Sequence, residues 1–198
     1  MMSFNILGVS VSVSYPFLAV LTAFLTFDKT GLGGQMFCAA LLHELGHLTV
    51  MYLFRQPPRS IDFVSFGIRI RKQQSTALSY GKEVLVFLAG PLSNFISAAI
   101  LYIIADAQFT QLALVHILLG LFNLLPIGAL DGGMIVGNLA HCFTSEHTAK
   151  VISLTVSLLC LLPIMAASFI LAIQGKANVT LIVTSFYLAF TIFASKDR

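Results

Sequence analysis

Charge is scarce in this chain. Asp, Glu, Lys and Arg make up 10% of its 198 residues, while 58% are hydrophobic and the mean hydropathy is +0.93. A soluble globular domain carries about 25% charged and roughly 45–50% apolar residues, so that class is excluded. Cysteine is scarce too: Cys38, Cys142 and Cys160 show no Cys-x-x-Cys spacing and cannot all pair within one chain. Neither a disulfide framework nor a cysteine zinc site is expected, and all three are expected to be buried small hydrophobes. The first apolar run lacks a basic n-region and a clear small-x-small cleavage site, which argues for a helix rather than a signal peptide. No internal repeat, low-complexity tract or Ser/Gly linker divides the sequence, so one membrane domain over residues 1–198 is expected.

What the chain does have is apolar length. Hydrophobic runs cover residues 9–27, 33–54, 84–105, 111–126, 151–173 and 179–194. Most approach the roughly 20 residues with which an α-helix crosses the hydrocarbon core. The expected fold is therefore an all-α polytopic membrane protein with about six transmembrane helices. If these alternate across the bilayer, Arg55, Arg59, Arg69, Arg71, Lys72, Lys82, Lys150, Lys196 and Arg198 share one side, while Lys29 and Lys176 face the other. The positive-inside rule then puts both termini and the 55–82 loop in the cytoplasm.

That loop is the one sizeable interruption. Pro57-Pro58 stops the second helix and forbids its immediate continuation. Beyond it, residues 61–71 are rich in β-branched and aromatic residues, and Phe66, Ile68 and Ile70 alternate with Gly67, Arg69 and Arg71. This pattern predicts one or two short strands, or a hairpin, at the cytoplasmic membrane surface. Such a segment is either a basic interfacial loop or an edge strand able to pair with an extended peptide.

The chemistry is concentrated in His43-Glu44-Leu45-Gly46-His47. Histidines four residues apart on a helix are about 40° apart in azimuth and about 6 Å along the axis, so both imidazoles reach one ion. Zn²⁺ favours neutral nitrogen ligands and, in a catalytic site, keeps a position open for water. The adjacent Glu44 is placed to take a proton from that water and pass it to a leaving amine. With five histidines and three glutamates in the chain, His-Glu-x-x-His arises by chance in only about two such sequences per thousand. Ionisable groups at membrane depth each cost a few kcal/mol and generally face an interior cavity.

Two histidines leave the site one ligand short. Asp28, Asp62, Glu83, Asp106, Glu146 and Asp197 fall at expected helix ends or in loops, where solvated charge is the ordinary explanation. Asp131 alone is embedded, beyond Pro126 and Gly128, which should break their helix; unwound backbone at membrane depth is tolerated where it lines a cavity or is buried in protein. Counted from Arg55 and His141, His47 and Asp131 lie about 12 Å and about 15 Å inside the cytoplasmic helix ends if both stretches are helical. An N-cap at a broken helix is the plainer alternative for Asp131.

His43-Glu44-x-x-His47, followed by Asn123-x-x-Pro126-x-x-x-x-Asp131-Gly132, resembles the paired motifs of the site-2 protease family of intramembrane zinc metalloproteases. Gly90-Pro91-Leu92-Ser93-Asn94 is a third shared element, and the resemblance extends over nearly the whole chain. It implies that His43, His47 and Asp131 bind one Zn²⁺, that Glu44 is the general base, and that Asn94 and Asn123 line the substrate site. Interhelical hydrogen bonding accounts for the two asparagines equally well. Many members carry a PDZ or cystathionine-synthase-type domain; neither is expected here, and the 198 residues resemble the compact bacterial or archaeal branch.

The expected substrate is a transmembrane protein that unwinds near the cytoplasmic side, with Phe66, Ile68 and Ile70 holding the unwound segment. The expected surroundings are the lipid bilayer of a cell membrane and a membrane regulatory protein, and nothing points to nucleic acid. Two alternatives are a zinc transporter and a non-catalytic metal-binding membrane protein. Against transport, His116, His141 and His147 are scattered and no acidic path crosses the chain; against a non-catalytic role, Glu44 is intact. His116, a lone helix histidine, is expected to be a packing or hydrogen-bonding residue, and His141 and His147 to be solvated.

Overall fold

The computed structural model describes residues 1–6, 9–64, 67–71, 78–104, 107–176 and 178–195. Contacts divide the chain into two compact units. The first comprises residues 1–78 and 89–120, the second residues 79–88 and 121–198.

The first unit opens with strands, where hydropathy alone predicts the start of a helix. Val9-Ser10-Val11-Ser12-Val13 alternates with period two and is β-branched at every other position, and it forms β2 (Val9–Val13), as that periodicity favours. β1 (Met2–Ile6) pairs antiparallel with it. The helix α1 (Tyr15–Phe27) begins only afterwards. Ser14 marks its start, accepting the Phe17 N–H at Oγ over 3.3 Å, and Pro16 falls in the first turn, where a missing N–H costs nothing.

β3 (Ser60–Val64) and β4 (Gly67–Arg71) form the expected hairpin, and β3 lies parallel to β2, giving a four-stranded sheet in the order β1-β2-β3-β4. Parallel neighbours need a crossover, here supplied by α1 and α2 (Leu32–Leu53). Asp62, expected to be solvated, is buried in β3. It accepts a hydrogen bond from the Ser12 hydroxyl, another from Ser60 Oγ over 3.3 Å, and pairs with Arg71 Nε at 2.8 Å.

Both ends of α2 are built by hydrogen bonds. Asp28 accepts from the Thr30 N–H (2.9 Å), the Thr30 hydroxyl (2.6 Å) and the Gly33 N–H ahead of the first turn. At the far end, Arg55 adopts φ 56° while its N–H reaches Tyr52 O and the Gln56 N–H reaches Met51 O. This is a Schellman closure, so the helix has already stopped before Pro57-Pro58 bars its resumption. The remaining helices that enter this unit are α3 (Tyr80–Ile104) and α4 (Ala107–Asn123).

In the second unit, α5 (Asp131–Phe143), α6 (Glu146–Ile173) and α7 (Val179–Ser195) pack in sequence. Ile127, Leu161, Leu188 and Ile192 form its core. α6 continues through Pro163 and closes at Gly175 (φ 71°) with Lys176 N–H to Leu171 O and Gly175 N–H to Ala172 O. His141 stacks on Tyr80 with ring centroids 4.8 Å apart, and so is less solvated than its sequence position implies.

Among the described residues, three helices, α2, α3 and α6, are long and apolar enough to cross a membrane, and α1, residues 110–123 of α4 and residues 179–192 of α7 are shorter apolar helices. Only 17–39% of the apolar windows of the three long helices is buried within the protein. Leu159, Phe169 and Ile173 are among the large side chains that α6 leaves uncovered, as a lipid-facing surface requires. The cysteines are free, as expected, but Cys38 and Cys142 are exposed rather than buried.

Candidate metal centre

α2 brings His43 and His47 onto one face, both nearly fully buried. Their rings meet edge to face with centroids 4.8 Å apart, and the two Nε2 atoms are 3.2 Å apart. Two nitrogen ligands about 2.0–2.1 Å from a tetrahedral zinc ion lie about 3.3–3.4 Å from one another, so the pair fits a zinc ion with almost no rearrangement. Glu44 is half-buried beside His43.

α3 allows this pair of rings to converge. A Cβ at Gly90 would fall 2.4 Å from Nε2 of His47 and 2.7 Å from Nε2 of His43, and a Cβ at Gly46 would fall 2.4 Å from the Ala89 carbonyl oxygen. Two glycines, one on each helix, thus let α2 and α3 approach closely. Ser93 Oγ donates to Leu42 O over 2.9 Å across the same contact. This gives the Gly90-Pro91-Leu92-Ser93-Asn94 run a physical reason.

Asn94 is fully buried, with Nδ2 3.1 Å from Nδ1 of His43 and Oδ1 3.1 Å from Nδ1 of His116 on α4. Both ends of its amide are engaged by histidines. Asn94, which the motif implies lines the substrate site, thus lies within hydrogen-bonding reach of His43 and His116. His116 is hydrogen-bonded, as expected, but its link to Asn94 was not legible. A spacing of seven residues puts His116 on roughly the same helix face as Asn123 and names no partner for it.

In the second unit, α4 ends at Asn123, which is half-buried, and residues 124–130 are irregular, as Pro126 and Gly128 foretell. Asp131 is the first residue of α5, with Leu130 at the cap position, so Asp131 is not itself the N-cap. The stretch from Asp131 to His141 is helical, as the depth argument requires. Gly132 and Gly133 fix the path of the preceding loop: a Cβ on Gly132 would lie 2.2 Å from Leu124 O, and one on Gly133 would lie 2.2 Å from Ile127 O. Gly128 N–H donates to Ser157 Oγ over 3.0 Å, tying the loop to α6. Of the residues expected to hold substrate, Ile68 and Ile70 lie in β4 opposite Phe63 and Ile61, and Phe66 lies outside the described residues.

Residues 105–165 match the model of peptidase family M50. The matched stretch contains Asn123, Pro126 and Asp131, while His43, Glu44 and His47 precede it. The structure is similar to that of a site-2 protease from Methanocaldococcus jannaschii, with a TM-score of 0.70 and 21% sequence identity over 98% of this chain and 94% of that one. No curated protein matches the chain. The fold is that of a site-2 protease, and with α2, α3 and α6 long and apolar enough to cross a bilayer the chain reads as an integral membrane protein.

Proposed function

We propose that the chain is an intramembrane zinc metalloprotease that hydrolyses a peptide bond within or near the transmembrane segment of another membrane protein. The observation that carries this reading is the pair of buried imidazoles, with Nε2 atoms 3.2 Å apart, beside Glu44 on an apolar helix. His43 and His47 hold the ion from α2, and Asp131, from the segment that matches peptidase family M50, gives the third ligand. Zinc, when bound, supplies a Lewis acid that polarises a peptide carbonyl and acidifies water.

Glu44 takes the proton from the attacking water and delivers it to the leaving amine. The substrate helix unwinds first, because a peptide carbonyl within an intact helix is shielded and already hydrogen-bonded. β4, at one edge of the sheet, pairs with the unwound segment through Ile68 and Ile70, Phe66, next to β4 in sequence, is a further residue to hold it, and Asn123 lines the path. The positive-inside rule puts the sheet and both termini on the cytoplasmic side, where a membrane regulatory protein would reach them.

The test is Glu44→Gln in detergent with zinc retained. Cleavage of a candidate membrane substrate is expected to fall by roughly 10²–10⁴-fold, and undiminished turnover would overturn the assignment. Zinc per protein in Asp131→Ala tests the ligand set, since a full complement with normal activity would remove Asp131 from it.

A further inference from the structure

Two imidazoles from different helices share one amide. Asn94 has no exposed surface, His43 and His116 are 5% and 1% exposed, and both contacts measure 3.1 Å. An amide presents a donor at one end and an acceptor at the other, and a neutral imidazole carries a single N–H. Burial makes an unpaired polar atom costly. The proton position on one ring is therefore tied to that on the other.

Two arrangements satisfy both contacts. In the first, Asn94 Nδ2 donates to Nδ1 of His43, whose proton then sits on Nε2, and His116 donates from Nδ1 to Oδ1. In the second, the amide is turned by 180°, which exchanges its oxygen and nitrogen in place. Oδ1 then accepts from the Nδ1–H of His43, Nε2 of His43 presents its lone pair toward His47, and Nδ2 donates to Nδ1 of His116, whose proton sits on Nε2. A histidine that ligates a metal through Nε2 carries its proton on Nδ1 and donates it to an acceptor that orients the ring. Only the second arrangement meets this requirement.

We infer that Asn94 is a positioning residue for His43, and that loading the metal site moves the proton of His116 from Nδ1 to Nε2 although His116 touches no metal. The inference rests on the metal site proposed above. Contacts besides Asn94 also join α2 to α3: Ser93 Oγ shares its hydrogen between Gly90 O and Leu42 O, and Gly46 approaches Ala89 closely.

The experiment is ¹⁵N-histidine NMR of the full chain in detergent, without and with zinc. The neutral His116 ring is expected to change from Nδ1–H to Nε2–H on zinc addition. A parent protein that binds zinc while His116 keeps its tautomer overturns the relay and leaves the metal site standing. A parent protein that binds no zinc removes both. Asn94→Asp offers an acceptor to each ring, so zinc binding should stay near the parental level while His116 remains Nδ1–H throughout. Asn94→Ala, lacking the acceptor, should bind zinc about 10–100-fold more weakly. A zinc-dependent switch of His116 in Asn94→Asp, or parental zinc affinity in Asn94→Ala, overturns the proposal.

Discussion

Nε2 of His43 lies 3.2 Å from Nε2 of His47 on a face of α2 opposite which Gly90 presents no side chain. Adding one there in Gly90→Ala drives a methyl against the rings, which can turn away, so the damage falls on the metal site rather than on the fold. Zinc affinity should drop by about 10–100-fold, as when a ligand's supporting contact is lost, with little change in melting temperature. Gly46→Ala meets the Ala89 carbonyl instead, which cannot turn away. It should cost about 1–3 kcal/mol, the usual penalty of overpacking. Competitive zinc titration and thermal unfolding in detergent distinguish the two variants, and equal behaviour would refute the distinction.

Gly132→Ala should disrupt the loop before Asp131. Its Cβ would meet three backbone atoms, the nearest being Leu124 O at 2.2 Å. Backbone cannot yield as a flexible side chain does, so the penalty is expected at or above about 1–3 kcal/mol. Thermal unfolding measures it, and a parental melting temperature would contradict the contact.

Asp62 ties three strands of the sheet together through Ser12, Ser60 and Arg71. Asp62→Ala strands the buried Ser12 hydroxyl and should destabilise the protein by about 1–3 kcal/mol. Arg71 itself is exposed, and removing it leaves Asp62 the Ser12 and Ser60 hydroxyl donors. Arg71→Ala should therefore be much milder than Asp62→Ala, and the reverse order in thermal unfolding would show that the ion pair dominates.

Asp28 caps the start of α2 from solvent. Hydrogen bonds from the Thr30 hydroxyl, then from the Gly33 and Thr30 N–H groups, hold its carboxyl below the usual carboxylate range. A lowered folded-state pKa means that the cap is fully formed above the ordinary aspartate range and is lost as pH falls through the lower, folded value. The Gly33 amide resonance should accordingly titrate with a midpoint below that of an aspartate in an unstructured peptide. A midpoint at or above that value would exclude the cap, and Asp28→Asn should abolish the titration.

The His43, Glu44 and His47 arrangement was legible because helix geometry relates residues four apart whatever surrounds them. Residues 61–71 and the break after Asn123 were legible for the same local reasons, alternation in one case and Pro126 with Gly128 in the other. Residues 9–13 were not, because hydropathy counts an apolar strand and an apolar helix alike, and only pairing with β3 reveals which forms. α5 lay outside every apolar run and entered only as the condition of the depth count. Its Gly132, Gly133 and Gly137 disfavour a helix in isolation, and packing against α6 overrides that preference.

The sequence by itself determined that this chain is apolar enough for a bilayer and carries a two-histidine, one-glutamate metal motif with Asp131 as a further candidate ligand. Tertiary structure alone decided that Asp62 is a buried strand anchor, that Gly90 makes room for the imidazoles, and that Asn94 joins His43 to His116. Asn94 lies 51 residues from one partner and 22 from the other. Local periodicity carries no information over such separations, and only the packing of α2, α3 and α4 brings those polar groups within reach of one another.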